Sequence, residues 1–191
     1  MRGARVRQCA AIAVALLAFS FAISSCTGGS STSSTSHTTT TGGTANPILT
    51  RAVSELNHGD VALAVANFLE VVKTQPSNHI AWYDLGVIAA KAGQNTQAVN
   101  DYLSSLSGDK TYVPALYNLA ILETGSHPQT AVELYLKALK IEPGDADAHL
   151  NIGFLYETMG NQAAGEEQIA KAVQLDPSLN ARVPKSALSS S

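Results

Sequence analysis

Pro76, Pro143 and Pro177 stand 67 and 34 residues apart, and 67 is one interval of 34 plus one of 33. A period near 34 restricts a chain to repeated supersecondary units, each too small to bury its own apolar face and stable only when stacked on a neighbour. Blocks set at that period agree in kind. The clearest holds Trp82, Leu85, Gly86, Gly93, Ala98 and Tyr102, the next Leu116, Leu119, Ala120, Ala131 and Tyr135, and a third Ile152, Gly153, Tyr156, Gly160 and Ala172. Upstream, Gly59, Ala64, Phe68 and Pro76 supply the second half of a weaker unit. At 100° per residue Trp82, Leu85, Gly86 and Ala89 cluster on one side of a helix, and no strand-like alternation is visible from residue 46 onward. Gly86, Ala98 and Gly153 are small where two helices would approach closely, while Gly93 and Gly160 fall where an inter-helix turn needs freedom. Pro143 and Pro177 should end helices, lacking a donor and clashing with a preceding carbonyl, and Pro114 should start one.

These residues resemble the tetratricopeptide repeat, a 34-residue helix-turn-helix with a Trp, Leu-Gly, Tyr, Ala, Phe, Ala, Pro pattern. The resemblance implies an all-α fold, a right-handed superhelical array with units near 45–78, 79–112, 113–145 and 146–179 and a C-terminal tail over 180–191. Four departures qualify it. Thr50, Arg51 and Ala52 replace the expected Asn, Leu and Gly, which leaves the first helix open. The third unit is one residue short around Gly125 to Pro128, and the fourth has Gly165 for the usual alanine and Ile169 for the usual aromatic. A capping helix would normally cover the last unit, yet only Ser178 to Ser191 follows and Pro184 restricts it to one or two turns, so an apolar face around Ile169 and Val173 is expected to be partly bare.

The N-terminal quarter follows other rules. Arg2, Arg5 and Arg7 precede a run from Ala10 to Ile23 in which only Ser20 is polar, and no acid occurs before Glu55. Fourteen helical residues rise roughly 21 Å, short of the ~30 Å hydrocarbon core, so the pattern is that of a secretory signal peptide over 1–25 rather than a stable span. The run ends Ile23-Ser24-Ser25-Cys26, which resembles the lipobox of bacterial lipoprotein precursors. That resemblance implies cleavage before Cys26, a diacylglyceryl thioether on its sulfur and further acylation of its amino group, and two or three chains hold a protein stably on a bilayer. Cleavage by ordinary signal peptidase after Ala22 is the alternative. Thr27 to Ala45 is rich in Ser, Thr and Gly, with one His and no large apolar residue, so residues 26–45 read as a lipidated cysteine followed by a flexible tether reaching about 25 Å. The expected location is the outer face of the bacterial cytoplasmic membrane, or an outer membrane in a Gram-negative cell.

Charge and chemistry narrow the function. Without the first 25 residues nine basic side chains face fifteen acidic ones, a net charge of −6, which disfavours nucleic acid as a partner. Cys9 and Cys26 are the only cysteines, and Cys9 belongs to the leader, so the mature chain has no disulfide or multi-cysteine metal site. His37, His58, His79, His127 and His149 have no metal-ligand spacing, and no phosphate loop or nucleophile elbow occurs. The reading is therefore non-catalytic, without cofactor or metal. In arrays of this family the first helices line a concave groove. The face opposite Trp82 and Leu85 carries Tyr83, Asp84 and Val87, then Tyr117, Asn118 and Ile121, then Leu150, Asn151 and Phe154. Carboxamides and phenols there suit an extended peptide or partner helix, although the asparagines can also brace the helices. Lysine and arginine clamps of chaperone-tail binders are represented only by Lys91. The expected partner is a protein or peptide, with the membrane reached through Cys26. The expected role is an envelope adaptor or scaffold, the alternatives being a structural subunit of an envelope assembly or a regulatory lipoprotein for a membrane enzyme.

Overall fold

The computed structural model describes residues 46–183; the expected signal peptide, Cys26, the expected tether and residues 184–191 lie outside the described residues. Eight helices follow one another within that span: α1 (Pro47–His58), α2 (Val61–Thr74), α3 (His79–Lys91), α4 (Asn95–Gly108), α5 (Val113–Glu123), α6 (Pro128–Ile141), α7 (Ala146–Thr158) and α8 (Gln162–Leu175), then a 3-10 segment, Pro177–Arg182. They pack as α1–α2, α3–α4, α5–α6 and α7–α8 pairs, and the second helix of each pair meets the first of the next. The fold is an all-helical repeat array.

Local chemistry sets the helix ends. The side chains of Asn46, Asn78 and Asp145 accept from backbone N–H groups in the first turns of α1, α3 and α7, satisfying donors that no intrahelical carbonyl can reach. That cap forms α1 even though its sequence departs from the repeat pattern. Gly59, Gly93 and Gly160 take φ of +87°, +73° and +82° at the turns inside the first, second and fourth pairs, where a Cβ would be strained. The missing residue of the third unit is absorbed differently. Helix α5 stops two residues earlier than α3 or α7, Thr124 stays in the right-handed region, and the His127 amide donates to the Glu123 carbonyl at 2.8 Å. Pro143 and Pro177 each stand two residues past the last residue of α6 and α8, and Pro114 lies in the first turn of α5.

One position of every second helix plugs its pair: Phe68, Tyr102, Tyr135 and Ile169, all at most 3% exposed. Opposite Tyr102 stands Gly86, where a Cβ would come within 2.7 Å of the ring. Opposite Ile169 stands Gly153, where a Cβ would fall 2.6 Å from Ile169 Cγ1. Trp82 packs half-buried against the α1–α2 cluster, its indole N–H donating to the Pro76 carbonyl at 2.8 Å.

Two expectations are corrected here. Ile169 is not bare, and Val173 is half-buried, because the 3-10 segment and the residue after it fold over α8 and insert Leu179 and Val183. Leu150, expected in the groove, is fully buried among the same residues. Six residues of 3-10 turn thus do the covering usually given to a whole helix, anchored by Asp176 accepting from the Ser178 amide and by an Arg182–Asp147 ion pair.

Candidate protein-binding groove

Helices α3, α5 and α7 share a line of hydrogen bonds along one face. Asn118 Nδ2 donates to the Tyr83 hydroxyl at 3.2 Å, and Asn151 Nδ2 donates to the hydroxyls of Tyr117 at 2.9 Å and Tyr135 at 3.2 Å. Each asparagine therefore reaches back to the tyrosine of the preceding unit. The rings are fixed as well, with Tyr117 edge-on to Tyr135 at 5.1 Å and Tyr83 edge-on to Tyr112 at 5.3 Å. Burial raises the phenol pKa at Tyr83, Tyr117 and Tyr135, the last to about 12, so all three stay neutral donors and acceptors at physiological pH. The polar groups anticipated as contacts for a partner are thus engaged with one another. They set the spacing of the first helices.

Asp84 holds the equivalent position in α3 but has no such partner, because Leu49 stands where the preceding tyrosine would be. Burial pushes its carboxyl up to about 6. It is the one polar member of the line left without a bond.

The open part of the face lies between α5 and α7. A cavity of about 660 Å³ is lined there by Tyr117, Ile121, Asn151, Phe154, Met159 and Arg182, among others. Ile121 is 50% exposed and Met159 36%, so the accessible surface is mainly apolar. Four of the nine residues expected in the groove, Tyr117, Ile121, Asn151 and Phe154, meet in this cavity. Tyr83, Asp84, Val87 and Asn118 lie on the same run of helices but outside it, and Leu150 is in the core. Sequence reasoning missed eight of the lining residues, among them Thr124, Thr158, Met159 and Arg182. The first three sit at helix ends, where the face of a helical wheel is ill defined. Arg182 arrives from the end of the 3-10 segment, beyond the last repeat unit at residue 179. Among the described residues no group of three His, Cys, Asp or Glu is placed to hold a metal ion, and no helix is long and apolar enough to cross a membrane.

Comparison with known proteins agrees with the helical-repeat fold. Tetratricopeptide-repeat profiles match residues 49–109, 129–160 and 146–179. The photosystem I assembly protein Ycf3 of Cyanophora paradoxa is 31% identical over 110 residues, or 53% of this chain. The chain covers 62% of that relative's length. Among solved structures, MamA (41-end) from Desulfovibrio magneticus RS-1 superposes with a TM-score of 0.62 at 21% identity, covering 68% of this chain and 74% of that one. A tetratricopeptide repeat protein from Parabacteroides merdae gives 0.61 at 23% identity, covering 68% and 52%. At these identities the two structures speak to the fold alone.

Proposed function

Since the described residues form an array of tetratricopeptide repeats, we propose that this protein is a non-catalytic adaptor, tethered to the bacterial envelope by Cys26, that holds a segment of a partner protein against α5 and α7. The observation that carries the reading is the 660 Å³ recess with half-exposed Ile121 beside Phe154 and Met159. Its size lies in the range of sites that enclose a ligand, and its apolar wall suits the anchor residues of a helix or extended peptide. The Asn–Tyr bonds support it indirectly, because a groove whose helices are already spaced loses less entropy on binding. A relative named for photosystem I assembly is consistent with an interaction role, without naming the partner here. The envelope location rests on the leader and on Ile23-Ser24-Ser25-Cys26.

Two variants test the groove. Ile121→Glu should abolish co-purification of the partner from crosslinked membranes, whereas Leu103→Glu, on the equally exposed outer side of α4, should not. Equal loss from both, or from neither, overturns the assignment. The anchor is tested separately: Cys26→Ser should end labelling by an alkyne fatty acid and release the protein from membranes, and persistent labelling would refute lipidation.

A further inference from the structure

A smaller recess of about 180 Å³ opens between α2, α3 and α4 and shares no residue with the groove. Its walls are Val65, Leu69, Leu85, Ile88 and the Trp82 indole, and Asp101 lines it as well. Asp101 is only 4% exposed. One of its carboxylate oxygens accepts from Gln97 Nε2 at 2.9 Å, a bond to its own helix, and the other has no partner among the described residues.

The equivalent positions of the other repeats show how unusual this is. Asn67 is bonded across its pair to Glu55 at 2.6 Å, Gln168 across its pair to His149 at 2.7 Å, and Leu134 is simply apolar and buried. The first and fourth repeats tie this position to the neighbouring helix by a bond, although a recess lies beside Gln168 as well, and the third fills it with an apolar side chain. The second repeat fills it with a carboxylate, leaves one oxygen unpaired and keeps a recess in front of it. Burying a carboxylate that lacks a full set of donors is unfavourable, and burial indeed raises the Asp101 carboxyl.

We propose that this recess is a second binding site, which takes the side chain of one lysine of a partner protein, its ammonium on the free Asp101 oxygen and its alkyl stem along Val65, Leu69 and Ile88. The volume is below that of sites for whole small-molecule ligands and suits a single long side chain. Charge complementarity selects the head group: Asp101 is the only ionisable residue lining the recess, and no cation does. One free oxygen fits a compact ammonium better than the five-donor fork of arginine. The Trp82 ring, oriented by its bond to the Pro76 carbonyl, adds a wall that favours a cation near its face.

Trp82 is the only tryptophan in the chain, so its fluorescence reports on this recess directly. The full chain is titrated with n-butylammonium chloride, with n-butanol as the neutral isostere and sodium chloride as the ionic-strength control. A saturable change is expected with n-butylammonium, at least tenfold weaker with n-butanol and lost in Asp101→Asn. Absence of saturation, equal response to the alcohol, or unchanged binding by Asp101→Asn overturns the proposal. If Asp101→Asn fails to fold, Val65→Phe fills the recess without touching the carboxylate, and undiminished binding by that variant is equally fatal. None of these readouts involves Ile121 or Phe154, so the result stands apart from that of the groove.

Discussion

The α3–α4 and α7–α8 pairs put glycine at the same point of their first helix, Gly86 and Gly153, and solve the space in front of it in opposite ways. In α3–α4 the gap is filled by the ring of Tyr102, which lies where a Gly86 Cβ would be. In α7–α8 the ring is replaced by Ile169, and a second glycine, Gly165, lets the backbones close until a Cβ there would sit 3.0 Å from the Gly153 carbonyl oxygen. The two departures of the fourth unit, Gly165 and Ile169, are therefore one compensated change: a smaller plug and a closer approach. The same two pairs differ again along the groove. Asn151 in α7 donates to two tyrosines, while Asp84 in α3 has none. The C-terminal pair is the more closely packed of the two, although Glu157 Oε1 in α7 is buried there without a hydrogen-bond partner, and the open recess at Asp101 belongs to the looser one.

Restoring the family aromatic at the tight pair should do the most damage. Ile169→Tyr has no room between Gly153 and Gly165 and should destabilise the domain by about 3 kcal/mol, near the top of the usual range for overpacking. If urea unfolding shows a loss below about 1 kcal/mol, the close approach of α7 and α8 is misdescribed. Next comes the cap. Leu179→Ala should cost about 2 kcal/mol, the low end for a buried leucine, because a short 3-10 segment can partly collapse onto the cavity. A neutral result would mean that the terminal face needs no cover.

The smallest effect has the opposite sign. The Asp84 carboxyl, raised by burial from 3.8 to about 6, binds more protons folded than unfolded between those values, so its contribution falls as pH rises through that window. Asp84→Asn should therefore raise stability at pH 7 by about 1 kcal/mol, below the full linkage value of about 3 kcal/mol because the half-buried carboxyl is screened by solvent, and leave it unchanged near pH 3.5. A gain independent of pH, measured by thermal unfolding across the range, would show that the effect is not electrostatic.

The period, the turn glycines and the helix-ending prolines are legible because each follows from the local backbone: a positive φ, a missing donor, a fixed offset. Gly86 and Gly153 are legible as close approaches for the same reason. The fate of Leu150 is not, since its burial depends on Leu179 and Val183 folding back from the last residues of the array, where the repeat pattern ends. A helical wheel also places Asn118 and Asn151 on the inner face without revealing that their amides are spent on Tyr83 and Tyr117. Direction around a helix is written in the sequence; the partner a side chain finds across a joint depends on both neighbours at once. That is why the polar line reads in sequence as either a binding surface or a brace, while the structure shows its Asn–Tyr bonds and leaves Ile121, Phe154 and Met159 as accessible apolar surface.

The central claim, that this apolar patch between α5 and α7 holds the partner, is tested most directly by site-specific photocrosslinking in intact membranes. A photoreactive phenylalanine analogue is placed at Ile121, on the inner face, and in parallel at Leu103, on the outer side of α4, both about half exposed. The account predicts one discrete adduct from position 121 that disappears when Phe154→Ala is added, and none of that mass from position 103. The same adduct from both positions, or from position 103 alone, would contradict it.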